Sequence, residues 1–438
     1  MPIPIVCLDA RVRQWAACFR PCFSKPQYQH VVTVLLGLLL CQEARTLTGL
    51  RRQVAGGPSI ASLSRFLARA PWEEAALART WRARFDRQVA PLVQAERDHQ
   101  RRTRPRRVGR PKEPLVTGYL SGDDSTLAKP KGTKMEGVGH HYSSTAAARI
   151  REHSLVQGLY VLQGRRCPLA PQLSQQKSVC AAREVPFRSK IALMEEQIRT
   201  FAPVAGTLTH VLLDSWYGAK RLWKAARERG FLITTGLKSN RWLRVPDSEA
   251  EGGWRWQQLS DYAGGLTADD FTVRDWPRPG DDPQEPRQVY VHVVQTRVRK
   301  LYRCQLVITR PSLDAPAKAT RYGASSDLDA DVTTLLGHIA ARWDVEVFFG
   351  DTKDVLGLDQ YQLMTTTAIV RFWTLVLAAY TLIEEERARL VQEQQRHVTI
   401  GEARRALQHL HYRHLLGWIE HEFHAGADAD TLFDRLAA

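Results

Sequence analysis

The sequence predicts an α/β fold that is interrupted by a β-rich insertion and flanked by helical regions. Over residues 115–240, short apolar runs alternate with helical segments, the pattern of strands covered by helices. Residues 241–330 are rich in Trp, Pro, Gly and Asp and contain two alternating runs that predict an antiparallel hairpin, 289–298 and 302–309. Helical patterns resume at 331–385, which we assign to the second part of the α/β core, and continue through a C-terminal region, 386–438.

The N-terminal region, residues 1–100, is predicted to be helical. Its longest apolar run, Val31–Cys41, is too short to span a bilayer, so we expect a buried core helix and no role at a membrane. Residues 47–52 and 59–69 are compatible with a helix-turn-helix-like pair, which would make this region DNA-binding, and equally with a plain helical bundle.

A basic linker, residues 101–114, follows. Its segment RRTRPRRVGRPK (101–112) has six Arg, one Lys and no acid, which argues against packed structure. The tripeptide Gly109-Arg110-Pro111 is similar to the centre of an AT-hook, which inserts Arg into narrow minor grooves. The alternative is a non-specific arm in which Arg106, Arg107 and Arg110 contact phosphates.

The overall charge indicates a polyanionic partner. Lys and Arg outnumber Asp and Glu by 62 to 46, giving a formal charge of +16, and nucleic acid is the simplest such partner. The seven scattered cysteines form no CxxC pair, so we expect no disulfide framework and a cytoplasmic location.

Three acids stand at or near the ends of predicted buried elements. Asp124 lies in the segment Gly122-Asp123-Asp124-Ser125-Thr126, Asp214 follows the apolar run 208–213, and Glu346 lies on a predicted helix. The carboxyl ends of strands are where α/β folds place ligands and catalytic groups. Three such carboxylates can hold two divalent ions for in-line attack on a phosphodiester. Only one of the adjacent Asp123 and Asp124 is expected to contribute, because alternate strand residues face opposite ways.

The helix that carries Glu346 combines charged and apolar faces. Arg342, Glu346 and Lys353 are spaced by one and two helical turns, so they are predicted to share one face. Val345, Phe348 and Phe349 are predicted to pack inward from the other face. An acid between two cations suits a site that binds a metal ion and phosphate together, although solvated helix faces show the same pattern.

Together these motifs resemble the DDE transposases of bacterial insertion sequences, members of the RNase H-like superfamily. Arg342, Glu346 and Lys353 match the Arg-x3-Glu-x6-Lys part of a Tyr-x2-Arg-x3-Glu-x6-Lys signature, while Ile339 occupies the Tyr position. The segments DSWYG (214–218) and LKSNR (237–241) look like the family's second-acid motif and the block after the next strand.

In that family the first acid has the form Asp-x-Thr, a register that favours Asp124 over Asp123. The resemblance implies that Asp124, Asp214 and Glu346 are catalytic and ligate Mg²⁺ or Mn²⁺, with two ions expected. It also implies DNA contacts by five further residues, Arg342, Lys353, Lys238, Asn240 and Arg241. Relatives with a β insertion can stack a flipped base on an insertion Trp, which suggests Trp254, Trp256 or Trp276 here.

The implied activity is cut-and-paste transposition of double-stranded DNA. The enzyme would nick DNA at terminal inverted repeats and transfer the freed 3′-hydroxyl into target DNA, acting as a homodimer. Three alternatives stay open: a metal-dependent nuclease that does not join strands, a catalytically inactive DNA-binding relative, and a structural nucleic-acid-binding protein whose acids are incidental.

The basic linker generates the first testable prediction. Removing residues 101–112 should make DNA binding less dependent on salt, because fewer phosphates are neutralised on binding. Fluorescence anisotropy measures the DNA affinity from 50 to about 200 mM salt, and the slope of log affinity against log salt concentration gives the salt dependence. An unchanged slope would show that the arm does not contact DNA.

Overall fold

A computed structural model describes residues 3–4, 9–103, 113–143, 147–276 and 287–437. In chain order its strands are β1 (Ile3–Pro4), β2 (Val54–Ala55), β3 (Val116–Ala128), β4 (Gly139–Ser143), β5 (Ala148–Leu162), β6 (Arg165–Pro168), β7 (Gln172–Ser174), β8 (Thr207–Leu213), β9 (Leu232–Gly236), β10 (Trp242–Pro246), β11 (Trp254–Gln258), β12 (Thr272–Asp275), β13 (Gln288–Arg297), β14 (Arg303–Arg310) and β15 (Arg321–Ser325).

The helices surround the sheet and form both terminal regions. They are α1 (Ala10–Ala17), α2 (Lys25–Leu40), α3 (Leu47–Arg51), α4 (Ile60–Arg69), α5 (Glu74–Thr103), α6 (Lys177–Ala182), α7 (Lys190–Thr200), α8 (Lys220–Glu228), α9 (Leu259–Gly264), α10 (Val332–Ala341), α11 (Asp344–Asp354), α12 (Thr366–Gln394), α13 (Ile400–His424) and α14 (Ala429–Ala437). The predicted α/β class with helical ends is confirmed.

A mixed sheet organises the fold. Strand β3 is an interior strand of this sheet, antiparallel to β5 on one side and parallel to β8 on the other, and β9 runs parallel to β8. Strand β8 is almost entirely buried from Thr209 to Leu213, as expected for a parallel strand with helices on both faces. These parallel strands end at the same edge of the sheet.

Strands of the predicted β-rich insertion continue this sheet. Strands β13 and β14 form the predicted antiparallel hairpin, and β15 pairs with both β14 and β9. The result in the described residues is one sheet of eleven strands. Only β10 and β11 form a separate two-stranded hairpin within the described part of the insertion.

The N-terminal helices pack onto α12 rather than forming an independent unit. Arg371 of α12 is buried and donates hydrogen bonds to the carbonyls of Leu67 and Trp72 and to the carboxylate of Glu74. Helices α3 and α4 are separated by residues 52–59, which include β2, whereas a helix-turn-helix has a turn of three or four residues. The packing therefore favours the bundle alternative.

Two predicted boundaries are shifted by long helices. Helix α5 extends to Thr103, so the first three residues of the predicted basic linker are helical, and residues 104–112 lie outside the described part. Helix α12 crosses the predicted boundary at 385/386, and past that point Glu386, Arg387, Ala388 and Leu390 are still buried.

Two long apolar segments are core helices. The predicted core run lies in α2, where every residue from Val31 to Leu40 is buried. Helix α12 is the one described helix whose length and composition would suit a membrane span, and 83% of its most apolar window is buried inside the protein. Six cysteines are described and all are free thiols, as expected; Cys7 lies outside the described residues.

Two buried histidines pack together beneath the edge where β8 and β9 end. The rings of His210 on β8 and His338 on α10 have centroids 4.0 Å apart. Burial, together with the neighbouring imidazole of His338, lowers the pKa of His210 to about 2, and burial lowers the pKa of His338 below its ordinary value of 6.5. The neutral form of both rings is therefore favoured in the folded protein.

This pair makes stability sensitive to acid. Because the folded-state pKa values are depressed, the stabilisation is complete above the unfolded-state pKa and is lost as pH falls below it. Each group contributes a slope of at most about 1.4 kcal/mol per pH unit. His338→Leu should reduce the fall in unfolding free energy between pH 7.5 and 5, measured by urea denaturation. If the unfolding free energy of the variant falls as steeply with pH as that of the unaltered protein, His338 does not contribute to the acid sensitivity.

Candidate active site

A cleft of about 590 Å³ opens at the edge of the sheet where β8 and β9 end. Its walls come from these strand ends, from β14 and β15, and from the turn between α10 and α11. The side chains of Asp123, Asp214 and Glu346 line it together with Arg342 and Trp343. Residues more than 200 positions apart in the chain thus meet in one cavity.

Strand register brings the first two acids together. In the parallel pair of β3 and β8, Gly122 lies opposite Leu213, so Asp123 and Asp214 occupy the next position on each strand. Neighbouring strands are about 4.8 Å apart, which sets the separation of the two backbones at this position. Asp214 then turns the chain: its Oδ1 accepts hydrogen bonds from the amides of Trp216 and Tyr217 at 2.9 and 3.2 Å.

Asp124, the first acid predicted from the sequence, points to the other face of β3 and does not line the cleft. A Cβ on Gly122, which has the same orientation as Asp124, would collide with Met194 of α7. Asp124 Oδ2 lies 2.5 Å from Lys190 Nζ, also on α7, and Asp124 Oδ1 accepts a hydrogen bond from the hydroxyl of Tyr217 at 2.8 Å. The structure therefore favours Asp123 over Asp124 as the first acid.

The acids of the cleft repel one another. Burial, then the negative charge of Asp214 and of Asp124, raises the pKa of Asp123 to about 7, against the lowering effects of the Asp124 amide and of Arg342. Burial also raises the pKa of Asp214, and hydrogen bonds from the Tyr217 and Trp216 amides oppose that rise. A cation between these groups would relieve the repulsion.

Arg342 is the cation that occupies this position in the structure. Its Nη2 lies 2.5 Å from Glu346 Oε1, and its Nη1 lies 3.9 Å from Asp123 Oδ2. Arg342 caps α10 and precedes α11, so it shares a face with Glu346 across a turn and not, as predicted, along one helix. The predicted apolar face is confirmed, since Val345 and Phe348 are fully buried.

The described residues contain no set of three His, Cys, Asp or Glu side chains that could hold one metal ion as arranged. The guanidinium of Arg342 lies between the carboxylates of Asp123 and Glu346. The donor set itself, three carboxylates, is the kind that binds Mg²⁺ and Mn²⁺. Binding such an ion requires Arg342 to give up its contacts with these oxygens.

Four of the other predicted DNA contacts are described, and none of the four lines the cleft; they are Lys353, Arg241, Lys238 and Asn240. Lys353 Nζ lies 3.2 Å from the carbonyl oxygen of Thr126, near the end of β3, and burial lowers the pKa of Lys353. Arg241 donates a hydrogen bond to the carbonyl of Gly218, which anchors the loop that begins at Asp214. Lys238 and Asn240 are exposed in the segment that follows β9. Arg106, Arg107 and Arg110 lie outside the described residues.

The tryptophans divide between two locations. Of the three predicted, Trp276 lines the cleft, whereas Trp254 packs edge-on against Trp256 on the β10–β11 hairpin. Sequence reasoning missed Trp343, which is 48% exposed and lines the cleft between Arg342 and the acids of α11. Its position in the sequence, between Arg342 and Glu346, could have identified it as a residue of the site. Lys190, by contrast, had no sequence signal, because its role depends on α7 packing on β3.

Comparison with protein families matches two models to the region that contains these residues. A model described as DDE superfamily endonuclease matches residues 18–255, more than half of the chain. The chain belongs to the DDE superfamily of endonucleases. A second model of the same superfamily, the transposase DDE domain, matches residues 188–382 and so includes Asp214 and Glu346. The predicted DDE relationship is confirmed.

Solved structures and curated proteins add little to this assignment. A piggyBac transposase, solved by cryo-EM as a synaptic complex with hairpin DNA, is similar at 12% sequence identity and a TM-score of 0.39. The match covers 74% of this DDE-superfamily chain and 57% of the piggyBac chain. No curated protein matches the sequence.

The position of Arg342 generates a prediction about metal affinity. Arg342→Gln should strengthen Mn²⁺ binding by about tenfold, or about 1.4 kcal/mol, because the ion no longer competes with a guanidinium for the oxygens of Asp123 and Glu346. Isothermal titration at pH 8.5 measures the affinity. The matched control Arg342→Lys retains a cation and should bind Mn²⁺ as the unaltered protein does. Equal affinities in all three proteins would show that Arg342 does not compete with the ion.

Proposed function

We propose that this protein is a DNA transposase in which Asp123, Asp214 and Glu346 form the catalytic acid triad. The observation that carries the proposal is the convergence of these three carboxylates in one cleft of a DDE-superfamily chain. Asp124, chosen on sequence grounds, is assigned instead to supporting β3 from behind through Lys190 and Tyr217.

The triad would hold Mg²⁺ or Mn²⁺. Hard oxygen ligands fit these ions, and burial together with the negative charge of Asp214 raises the pKa of Asp123, an effect that a bound cation would oppose. Bound there, a pair of ions supplies activation of the attacking hydroxyl and charge stabilisation at the leaving oxygen.

The chain's own cations would position the DNA strand. Once released from the acids, the planar guanidinium of Arg342 can bind a phosphate oxygen pair through two parallel N–H groups. Lys353 supplies a point charge beside the end of β3, and Lys238 and Asn240 extend the contact surface past the rim. Trp343 offers an exposed ring beside the acids, suited to stacking on an unpaired base.

The full reaction proposed is cut-and-paste transposition. The protein would nick double-stranded DNA at terminal inverted repeats and transfer the 3′-hydroxyl to target DNA, as a homodimer that bridges two ends in the bacterial cytoplasm. The basic charge of the chain, +16, supports a nucleic-acid substrate. A nuclease without strand joining and an inactive DNA-binding relative are the competing functions.

The decisive experiment is a nicking assay on supercoiled plasmid that carries the DNA flanking the gene. Asp123→Asn, Asp214→Asn and Glu346→Gln should each lower Mg²⁺-dependent nicking at least about 10³-fold, because each removes a metal ligand worth several kcal/mol in the transition state. DNA binding should persist in all three. The matched control Asp124→Asn, one residue away, should retain nicking within about tenfold of the unaltered rate.

The outcomes separate the candidates. Nicking that survives Asp123→Asn but not Asp124→Asn would restore the sequence-based assignment. Nicks without strand joining to a second plasmid would identify a nuclease, and DNA binding without any nicking in the unaltered protein would identify an inactive relative.

A further inference from the structure

A second and larger cavity, of about 890 Å³, lies away from the acids. It opens between the β10–β11 hairpin, helix α8 and the connected ends of β13 and β14. Along β9 this cavity contacts Leu232 and Ile233 at the start of the strand, whereas the cleft contacts its end. Along β14 the cavity contacts Arg303, and the cleft contacts Thr309. The cleft also contacts Val307, so four residues of extended strand, roughly 13 Å, separate the two linings on β14, and Ile233 and Thr234 are adjacent on β9.

The cavity is strongly basic. Four exposed arginines line it, and no Asp or Glu among the described residues does so; they are Arg227, Arg244, Arg297 and Arg303. No ion pair joins any of these four to an acid within the described parts of the chain. Other exposed arginines of the protein, such as Arg199 and Arg435, contact a carboxylate.

Two of these arginines are placed at a cost to stability. Arg297 and Arg303 lie directly opposite each other on the antiparallel strands β13 and β14. Like charges at such a position are destabilising. Arg303 contacts the amide oxygen of Gln295 at 3.0 Å, which orients its guanidinium without neutralising it. A bound anion between the strands would turn this repulsion into attraction.

Aromatic rings fix the other two arginines. The guanidinium carbon of Arg244 lies 4.0 Å from the centre of the Trp254 ring, and that of Arg227 lies 4.7 Å from the centre of the Tyr302 ring. Stacking occupies the flat face of a guanidinium and leaves its in-plane N–H groups free to bind phosphate. The side chains are thus ordered before a ligand arrives.

We propose that this cavity is a second DNA-binding site that grips the phosphate backbone of the same duplex held in the catalytic cleft. At 3.4 Å per base pair, the roughly 13 Å between the two linings on β14 corresponds to about four base pairs of duplex. The proposal rests on the proposed DNA-cutting function for the identity of the polyanion. It assigns Trp254 to holding Arg244 in place rather than to stacking a flipped base.

The test compares Arg297→Gln/Arg303→Gln with the matched control Arg405→Gln/Arg413→Gln, which removes two exposed arginines from α13. Fluorescence anisotropy with a 30-base-pair duplex, titrated with salt, measures binding. The first double variant should reduce the slope of log affinity against log salt by about 2, one unit for each phosphate that is no longer neutralised. Its Tm should equal or exceed that of the unaltered protein, because a repulsive pair is gone. In the nicking assay KM should rise severalfold while kcat is unchanged.

Each result tests the second DNA-binding site separately from the proposed catalytic triad. An unchanged salt slope, or an equal reduction in the α13 control, would overturn the second site and leave the acid triad intact. A lower Tm would identify a structural role for the arginine pair and also overturn it. If the unaltered protein binds the duplex but never nicks, the slope still tests the cavity, and only the proposed function fails.

Discussion

The parallel pairing of β3 with β8 is the constraint on which the site depends. It aligns Gly122 with Leu213, so the next residue of each strand is an aspartate at the same edge of the sheet. Because side chains alternate along a strand, a slip of one residue would send Asp123 to the opposite face and bring Asp124 into the cleft. The close fit of Gly122 against Met194 and Leu213 holds this register, since any side chain there would collide with both.

Strand β3 carries an acid on each face, and a basic side chain lies close to each acid. Arg342 lies near Asp123 on the cleft side, and Lys190 contacts Asp124 on the side of α7. The two pairs differ in what surrounds them. Tyr217 donates a further hydrogen bond to Asp124, which leaves that carboxylate fully engaged, whereas the cation of Asp123 is shared with Glu346. The loosely paired acid is the one available to a ligand.

The sequence was sufficient for the parts of the fold and site that depend on local pattern. Apolar runs and charge spacing predicted the buried strand before Asp214, the hairpin of β13 and β14, and the inward face of Val345 and Phe348. The sequence was not sufficient for the features that tertiary packing determines. The choice between Asp123 and Asp124 depends on which helix covers which face of β3: the family motif favours Asp124, whereas the packing favours Asp123. The continuation of the sheet through β15 depends equally on long-range pairing with β9.

That continuation connects the acid cleft and the arginine cavity through one sheet. Strands β9 and β14 each contribute to the acid cleft at one end and to the arginine cavity at the other. Hydrogen bonds connect β9 to β14 through β15, so the two sites are fixed to the same sheet. A separate insertion domain on a flexible linker would let these sites move independently. Built into the sheet, the two sites stay at a constant spacing, and under the proposed function this rigid spacing would select one register of a duplex relative to the acids.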